Sequence, residues 1–316
     1  MKIGLVGYGE VGKILAEDLR TRGHAVAAYD LKLGTPAGAA MPAHSETHGV
    51  RLASSHVAAT QDADLVIAAV TAAQTVAVAT ATAPGLAHGA FYLDFNSASP
   101  GAKREASLPV NAAGGRYVEG AVMTHISGAR MAVPLLLGGP HAESLLPTLK
   151  ALGFAPRVAS SELGVASATK LSRSVLIKGL EVMLIESLTT ARHYGVEDAV
   201  IESFYETYPG VDWKAQATYA FQRVIEHGRR RSEEVREVAQ TVREAGLEPH
   251  SASGTAERQA WMADCADAGV FGTRGSPGFA RSANWRTEAD RLLQHLQRDA
   301  SGASAPDTPP TLDPSA

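Results

Sequence analysis

Near its start the chain reads Lys2-Ile3-Gly4-Leu5-Val6-Gly7-Tyr8-Gly9-Glu10-Val11-Gly12. Residues 2–6 form an apolar run of strand length. Over 10–20, Val11, Ile14, Leu15 and Leu19 recur at helical spacing until Gly23 closes the segment. Between strand and helix stand glycines in the pattern G-x-G-x-x-G. Gly7 would allow the tight turn out of the strand, Gly9 would let backbone approach a pyrophosphate, and Gly12 would let the helix pack closely on the strand. A helix N-terminus at this point offers N–H groups and a partial positive charge to an anion. A second strand, 24–29, ends at Asp30, whose carboxylate is placed to accept hydrogen bonds from ribose hydroxyls. Strand, glycine turn, helix, strand and acid follow in the order of a dinucleotide-binding unit. Asp30 should repel a 2′-phosphate and so favours NAD, while Lys32, two residues on, works the other way and leaves NADP open.

Further strands are expected at 64–70, 91–95, 117–122 and 133–137, with a helix at 74–82; residues 34–49, rich in Gly, Ala, Pro and His, read as loop. The run at 64–70 is apolar throughout, as when helices cover both faces of a sheet. The alternation predicts an α/β Rossmann domain with a doubly wound, mostly parallel sheet. After Gly164 the strand signals stop. From Ala166 to Tyr194 there is no proline and one glycine, Gly179, and Leu171, Val175, Val182, Ile185 and Leu188 keep helical spacing. One long interdomain helix is therefore expected to lead into an all-α C-terminal domain, with helices at 196–208, 214–241 and 255–268 and a last one ending at 298. The expected division is 1–163, a nucleotide-binding domain; 164–298, a helical domain; and 299–316, a proline-rich tail without aromatic residues that cannot bury enough surface to order itself.

Composition excludes several classes. A net charge of −4 gives no basic field for nucleic acid and no polybasic membrane patch. Cys265 is the only cysteine, so no intrachain disulfide can form and a cysteine-based metal site is not expected. No apolar run approaches the ~18 residues of a membrane span. The chain enters a strand at Ile3, which leaves no room for a signal peptide, so the cytoplasm is the expected compartment. No His, Asp or Glu spacing suggests a metal site.

Three segments together resemble a known family. They are the opening Lys2 to Gly12 motif, Asp94-Phe95-Asn96-Ser97-Ala98-Ser99-Pro100, and Gly164-Val165-Ala166-Ser167-Ala168-Thr169-Lys170. They resemble the β-hydroxyacid dehydrogenases, the superfamily of 6-phosphogluconate and 3-hydroxyisobutyrate dehydrogenases, over roughly residues 1–270. The third segment matches that family's G-x-G-x-x-x-K with Ala166 in place of the second glycine. The resemblance implies that Lys170 is the catalytic acid/base and that the polar residues after the 91–95 strand lie near a nicotinamide. Besides Gly7, Gly9, Gly12 and Asp30, the implied cofactor set comprises Tyr8, Glu10, Val11, Val70, Thr71 and Asn96. It also implies helical domains paired in a homodimer. Two segments depart from the pattern. The family's substrate-binding Ser-Gly-Gly reads Met123-Thr124-His125, and the Asn-Asn after the lysine reads Arg173-Ser174. Both are similar to a subgroup with its own phosphogluconate-dehydrogenase-like C-terminal domain, as are Lys178-Gly179, His227-x-x-Arg230-Arg231 and the Pro249 to Arg258 region.

The chemistry can be followed from these residues. Hydride transfer at a carbon bearing oxygen requires a group that takes or gives the hydroxyl proton, and a lysine can serve where its neutral form is favoured. The helix start and Arg173 both act on Lys170 in that direction. Ser174, one turn on, shares its face and could hydrogen-bond the same oxygen. Arg173 could hold a carboxylate or phosphate by a bidentate contact, or pair with a neighbouring acid. His125 could touch substrate or cap a loop. His227, Arg230 and Arg231 could bind an anion or form a solvated basic face. The expectation is an NAD(P)-dependent oxidoreductase acting on a small polar, anionic hydroxy or oxo compound. An imine reductase of the same architecture, a group that often lacks the lysine, and a nucleotide-binding protein without turnover are the alternatives.

Overall fold

The computed structural model describes residues 1–302; most of the expected 299–316 tail lies outside the described residues. The first part of the chain runs β1 (Lys2–Val6), α1 (Glu10–Thr21), β2 (Ala25–Tyr29), α2 (Met41–His48), β3 (Arg51–Leu52), α3 (His56–Thr60), β4 (Leu65–Ala68), α4 (Thr75–Thr82) and β5 (Phe91–Asp94). Then come α5 (Pro100–Ala112), β6 (Arg116–Val122), α6 (Ile126–Ala129), β7 (Pro134–Gly138), α7 (Ala142–Leu152) and β8 (Ala155–Ser160). Helices alone follow: α8 (Val165–Tyr194), α9 (Glu197–Thr207), α10 (Trp213–Glu244), α11 (His250–Asp267) and α12 (Trp285–Gly302).

The eight strands form one sheet in the order β3-β2-β1-β4-β5-β6-β7-β8. Every neighbouring pair is parallel except β6 and β7, so the mostly parallel, doubly wound sheet expected from the sequence is what folds. Strand β1 has β2 on one side and β4 on the other, so the winding reverses beside it. A crevice at the carboxyl ends of β1 and β4 is where ligands bind in open sheets of this kind. Side chains alternate between two buried faces. Ile3, Leu5, Leu65, Ile67 and Leu93 enter one core with α1 residues Leu15 and Leu19, and Val6, Val66, Ala68 and Tyr92 enter the other.

One expectation fails in this part of the chain. Residues 34–49 are not loop: they contain a 3-10 turn at Pro36–Gly38 and all of α2. Pro42 sits in the first turn of α2, where a missing N–H costs nothing, and Gly49 ends the helix in the left-handed conformation at φ 63°.

By its internal contacts the chain divides into two compact units, Met1–Leu176 with Glu233–Ser253, and Ile177–Ser232 with the described residues from Gly254 on. These divisions fall inside the long helices, so the first turns of α8 and the last turns of α10 belong with the sheet. The second unit has its own core, in which Ile185 and Leu188 of α8 and Phe221 and Val224 of α10 meet Met262 and Trp285. Among the described residues no helix is long and apolar enough to cross a membrane.

Candidate functional site

The glycines after β1 differ in what demands them. Gly7 has φ +96°, and a Cβ there would lie 2.3 Å from the Ala69 carbonyl oxygen; a Cβ on Gly12 would lie 2.1 Å from the Gly7 oxygen. The fold itself requires both. A Cβ on Gly9, by contrast, would meet nothing within 4 Å. Gly9 is the N-cap of α1 and no side chain caps that end, so bare backbone faces open space at a helix N-terminus, with exposed Glu10 in the first turn. The residues present therefore fit a dinucleotide pyrophosphate. Asp30 stands at the end of β2 with one carboxylate oxygen accepting the Tyr8 N–H at 2.7 Å and the other the Lys32 N–H at 2.9 Å. A carboxylate has capacity for more than these two bonds, so ribose hydroxyls could still be received. Tyr8 itself is 0 % exposed, and its hydroxyl lies 2.8 Å from His44 Nδ1. Only its backbone can face a cofactor. Burial, with Glu17 nearby, pushes the Tyr8 phenol up to about 12.

The neighbouring strand end continues the site. Ala69 N–H donates to the Val6 oxygen at 2.8 Å, and Val70 N–H donates to Asn96 Oδ1 at 2.7 Å. Asn96 is 3 % exposed, and its Nδ2 is a buried donor without a hydrogen-bond partner among the described residues. Thr71, next to Val70, is exposed. The loop that carries Asn96 is anchored by Asp94, which the sequence marks only as a strand end. Asp94 Oδ1 lies 2.9 Å from Lys103 Nζ, Tyr117 Oη donates to Oδ2 at 2.6 Å, and Lys103 Nζ also donates to the Asp94 carbonyl at 3.0 Å. All three side chains are buried. Burial first, then the charge of Asp94, pushes the Tyr117 phenol well above its usual range.

Helix α8 brings Lys170 to this loop, where its Nζ donates to Ser97 Oγ at 2.5 Å. The buried Ser174 hydroxyl donates to the Lys170 carbonyl at 3.0 Å, so its proton is used within the helix, and Arg173 is exposed. The start of α8 is held by a residue that sequence reasoning passed over. Glu119 of β6, wholly buried, accepts the N–H of Gly164 at 3.0 Å and of Ala166 at 2.9 Å on one oxygen, and the Ser167 hydroxyl at 2.9 Å on the other. The positive end of α8 is thus already met by a carboxylate, which revises the expectation that it acts on Lys170. Ala166, where the family pattern has glycine, packs against Ala121 and Leu136, with Met123 at the margin. Thr124 and His125 are exposed just beyond β6.

The remaining substrate candidates lie in the second unit, and the structure separates them. Arg231 is 5 % exposed, paired with Glu181 and hydrogen-bonded to Gln259 Oε1 at 3.3 Å, so its guanidinium is committed to helix packing. Burial pushes the Glu181 carboxyl up even against that arginine. Arg230 is exposed. His227 is half-buried with Glu226 at 3.8 Å, and burial, followed by Arg223, pushes its imidazole down. In the first unit, the glycine loop, Asp30, Val70, Asn96 and Lys170 are linked in sequence by the bonds described above. A cavity of about 730 Å³ in that unit, lined by Pro100, Arg104, Ala168, Ser172, Val175 and Glu244 among others, touches none of them and lies on the other face of α8 from Lys170.

Residues 2–158 match the family model described as the NAD binding domain of 6-phosphogluconate dehydrogenase, and residues 191–262 match a domain of unknown function, DUF1932. A conserved hypothetical protein from Sinorhizobium meliloti 1021 is 33% identical, covering 94% of this chain and 97% of its own, with a TM-score of 0.74. The chain belongs to the 6-phosphogluconate dehydrogenase-like family of β-hydroxyacid dehydrogenases. Conserved protein MTH1747, whose structure is described as similar to 3-hydroxyacid dehydrogenases, is 28% identical over 85% of this chain and 98% of its own, with a TM-score of 0.67. The 3-hydroxyisobutyrate dehydrogenase of Mycobacterium tuberculosis shares the fold at 17% identity, over 92% of this chain and 98% of its own, with a TM-score of 0.69. In this 6-phosphogluconate dehydrogenase-like chain the first unit is accordingly an NAD(P)-binding fold, and the DUF1932 match covers the helices that carry His227, Arg230 and Arg231.

Proposed function

We propose that the chain is an NAD(P)-dependent oxidoreductase of small polar, anionic hydroxy or oxo compounds, with Lys170 as the proton-transfer group. The observation that carries the reading is the contact of Lys170 Nζ with Ser97 Oγ, one residue from the buried Asn96 at the carboxyl ends of β4 and β5. A bound nicotinamide supplies or accepts the hydride. Lys170 Nζ takes the hydroxyl proton when the substrate is oxidised and returns it when the oxo compound is reduced. Ser97 Oγ accepts from that amine and holds it at the strand ends. Asn96 Nδ2 is a donor with capacity for a ligand oxygen, and exposed Arg173, one turn from Lys170, suits an anionic substituent. Asp30 favours NAD by repelling a 2′-phosphate. Exposed Leu176 and Met183 on α8 support a homodimer in which a second copy covers them.

The test is oxidation of NADH and NADPH, followed at the nicotinamide absorbance, over a panel of oxo acids, ketones and imines. Turnover of an oxo acid that is lost in Lys170→Ala supports the reading. Turnover confined to imines would make the chain an imine reductase, and tight NADH binding without turnover of any compound would make it a nucleotide-binding protein without catalysis.

A further inference from the structure

Because residues 41–48 fold as a helix, His44 and His48 stand one turn apart on the same face of α2. Glu17 faces them from α1. One nitrogen from each imidazole and one oxygen of the carboxylate lie within 4.8 Å of one another, and all three residues are half-buried. The two imidazole rings are 4.5 Å apart between centroids and tilted by 35°.

The atoms behind this cluster are held as well. His44 turns Nε2 toward Glu17 Oε1 at 2.9 Å and Nδ1 toward Tyr8 Oη at 2.8 Å. Glu17 turns its other oxygen toward the Arg130 guanidinium at 2.8 Å. An imidazole whose outer nitrogen is bonded to a fixed oxygen, beside a carboxylate whose second oxygen is also bonded, is the outer shell that metal ligands require.

We propose that Glu17, His44 and His48 bind a divalent transition cation of the zinc class, with water in the fourth position. Two imidazole nitrogens and one carboxylate oxygen suit Zn²⁺, Co²⁺ or Ni²⁺, whereas Ca²⁺ and Mg²⁺ take oxygen ligands. The cation replaces the hydrogen that His44 Nε2 shares with Glu17. The imidazole keeps one proton, now on Nδ1, and donates it to Tyr8 Oη, so binding changes the tautomer of His44 and not its charge. The site lies behind Tyr8, the second residue of the glycine turn, and a cation there ties α1 to α2 beneath that turn. Its role is in holding the loop.

Without a cation the same atoms form a strut, Tyr8 to His44 to Glu17, and His48 is the residue that tells the two apart, since its ring is outside that chain. The experiment titrates the full-length protein with Co²⁺, read by the visible bands of tetrahedral cobalt, and with Zn²⁺ by calorimetry, for wild type, His48→Ala, His48→Gln and Glu17→Gln. The expected result is one cation per chain in wild type, an affinity at least about tenfold weaker in each variant, and a Tm raised by Zn²⁺ only where the site is intact. His48→Ala and His48→Gln should keep the wild-type Tm before metal is added. Absence of tetrahedral cobalt bands, or one-to-one binding undiminished in both His48 variants, would overturn the proposal and leave the cluster as a strut.

Discussion

Lys170 Nζ donates a 2.5 Å hydrogen bond to Ser97 Oγ across 73 residues of sequence. The bond ties the second turn of α8 to the loop after β5. Asn96, the preceding residue in that loop, holds the Val70 N–H at 2.7 Å, so amine and strand ends share one hydrogen-bonded frame. If Lys170 has the proposed role, Ser97 acts through it as a positioning residue. Ser97→Ala should lower kcat by about tenfold or more, shift the pH profile of kcat, and leave NADH affinity within about twofold. Ser97→Thr, which keeps the hydroxyl, should recover most of the loss. Steady-state kinetics across pH reads both outcomes.

Gly9 and Gly12 should behave oppositely when changed to alanine. A Cβ on Gly9 meets nothing within 4 Å, whereas one on Gly12 would sit 2.1 Å from the Gly7 oxygen. Gly9→Ala should keep Tm within about 2 °C while NADH affinity, read by fluorescence titration, falls at least about tenfold. Gly12→Ala should lower Tm by several times that amount, because backbone must move.

Glu119 should matter for stability out of proportion to its single carboxylate. It satisfies two backbone N–H groups and one hydroxyl at the start of α8 with no exposed surface. Glu119→Ala strands those donors and should cost about 3 kcal/mol or more in urea denaturation, with Glu119→Gln costing less because one acceptor remains.

These cases show what could be read before folding. The glycine turn was legible because local backbone chemistry fixes its residue types, and the long helix was legible because Leu171, Val175, Val182, Ile185 and Leu188 keep helical spacing in a stretch without proline. Helix α2 was hidden by its composition, since Pro42 reads as a breaker when it is a helix start. With it was hidden the His44 and His48 spacing, which means nothing until the helix exists. Pro109 and Pro147 lie inside α5 and α7, where a proline also reads as a breaker. Glu119 and the inward turn of the Tyr8 ring depend on partners remote in sequence, and the pair of Asp94 with Lys103 spans a strand end and a helix, so no spacing announces them. The same holds for Arg231, which shares a helical face with His227 on paper but is buried against Glu181 in the fold.

Acid should weaken the second unit through Glu197. Its carboxyl is held below the usual range, first by the hydrogen bond from Arg192, with the nearby Arg286 charge adding to it. In the unfolded chain Glu197 takes up its proton near the ordinary carboxylate value while the folded chain keeps it ionised. Its contribution is therefore complete above that value and is lost as pH falls through the lower, folded one. Glu197→Gln should lower stability at neutral pH and flatten the decline between about pH 6 and about pH 3 in denaturation midpoints.

Lys170→Ala, assayed for both NADH binding and turnover of the best compound on the panel, tests the assignment of chemistry to this site most directly. Turnover should fall by about 10²- to 10⁴-fold while NADH affinity stays within about twofold, because the proposed function gives the amine the reacting oxygen and the glycine loop the nucleotide. Turnover retained at the wild-type level in that variant would contradict the role given to Lys170.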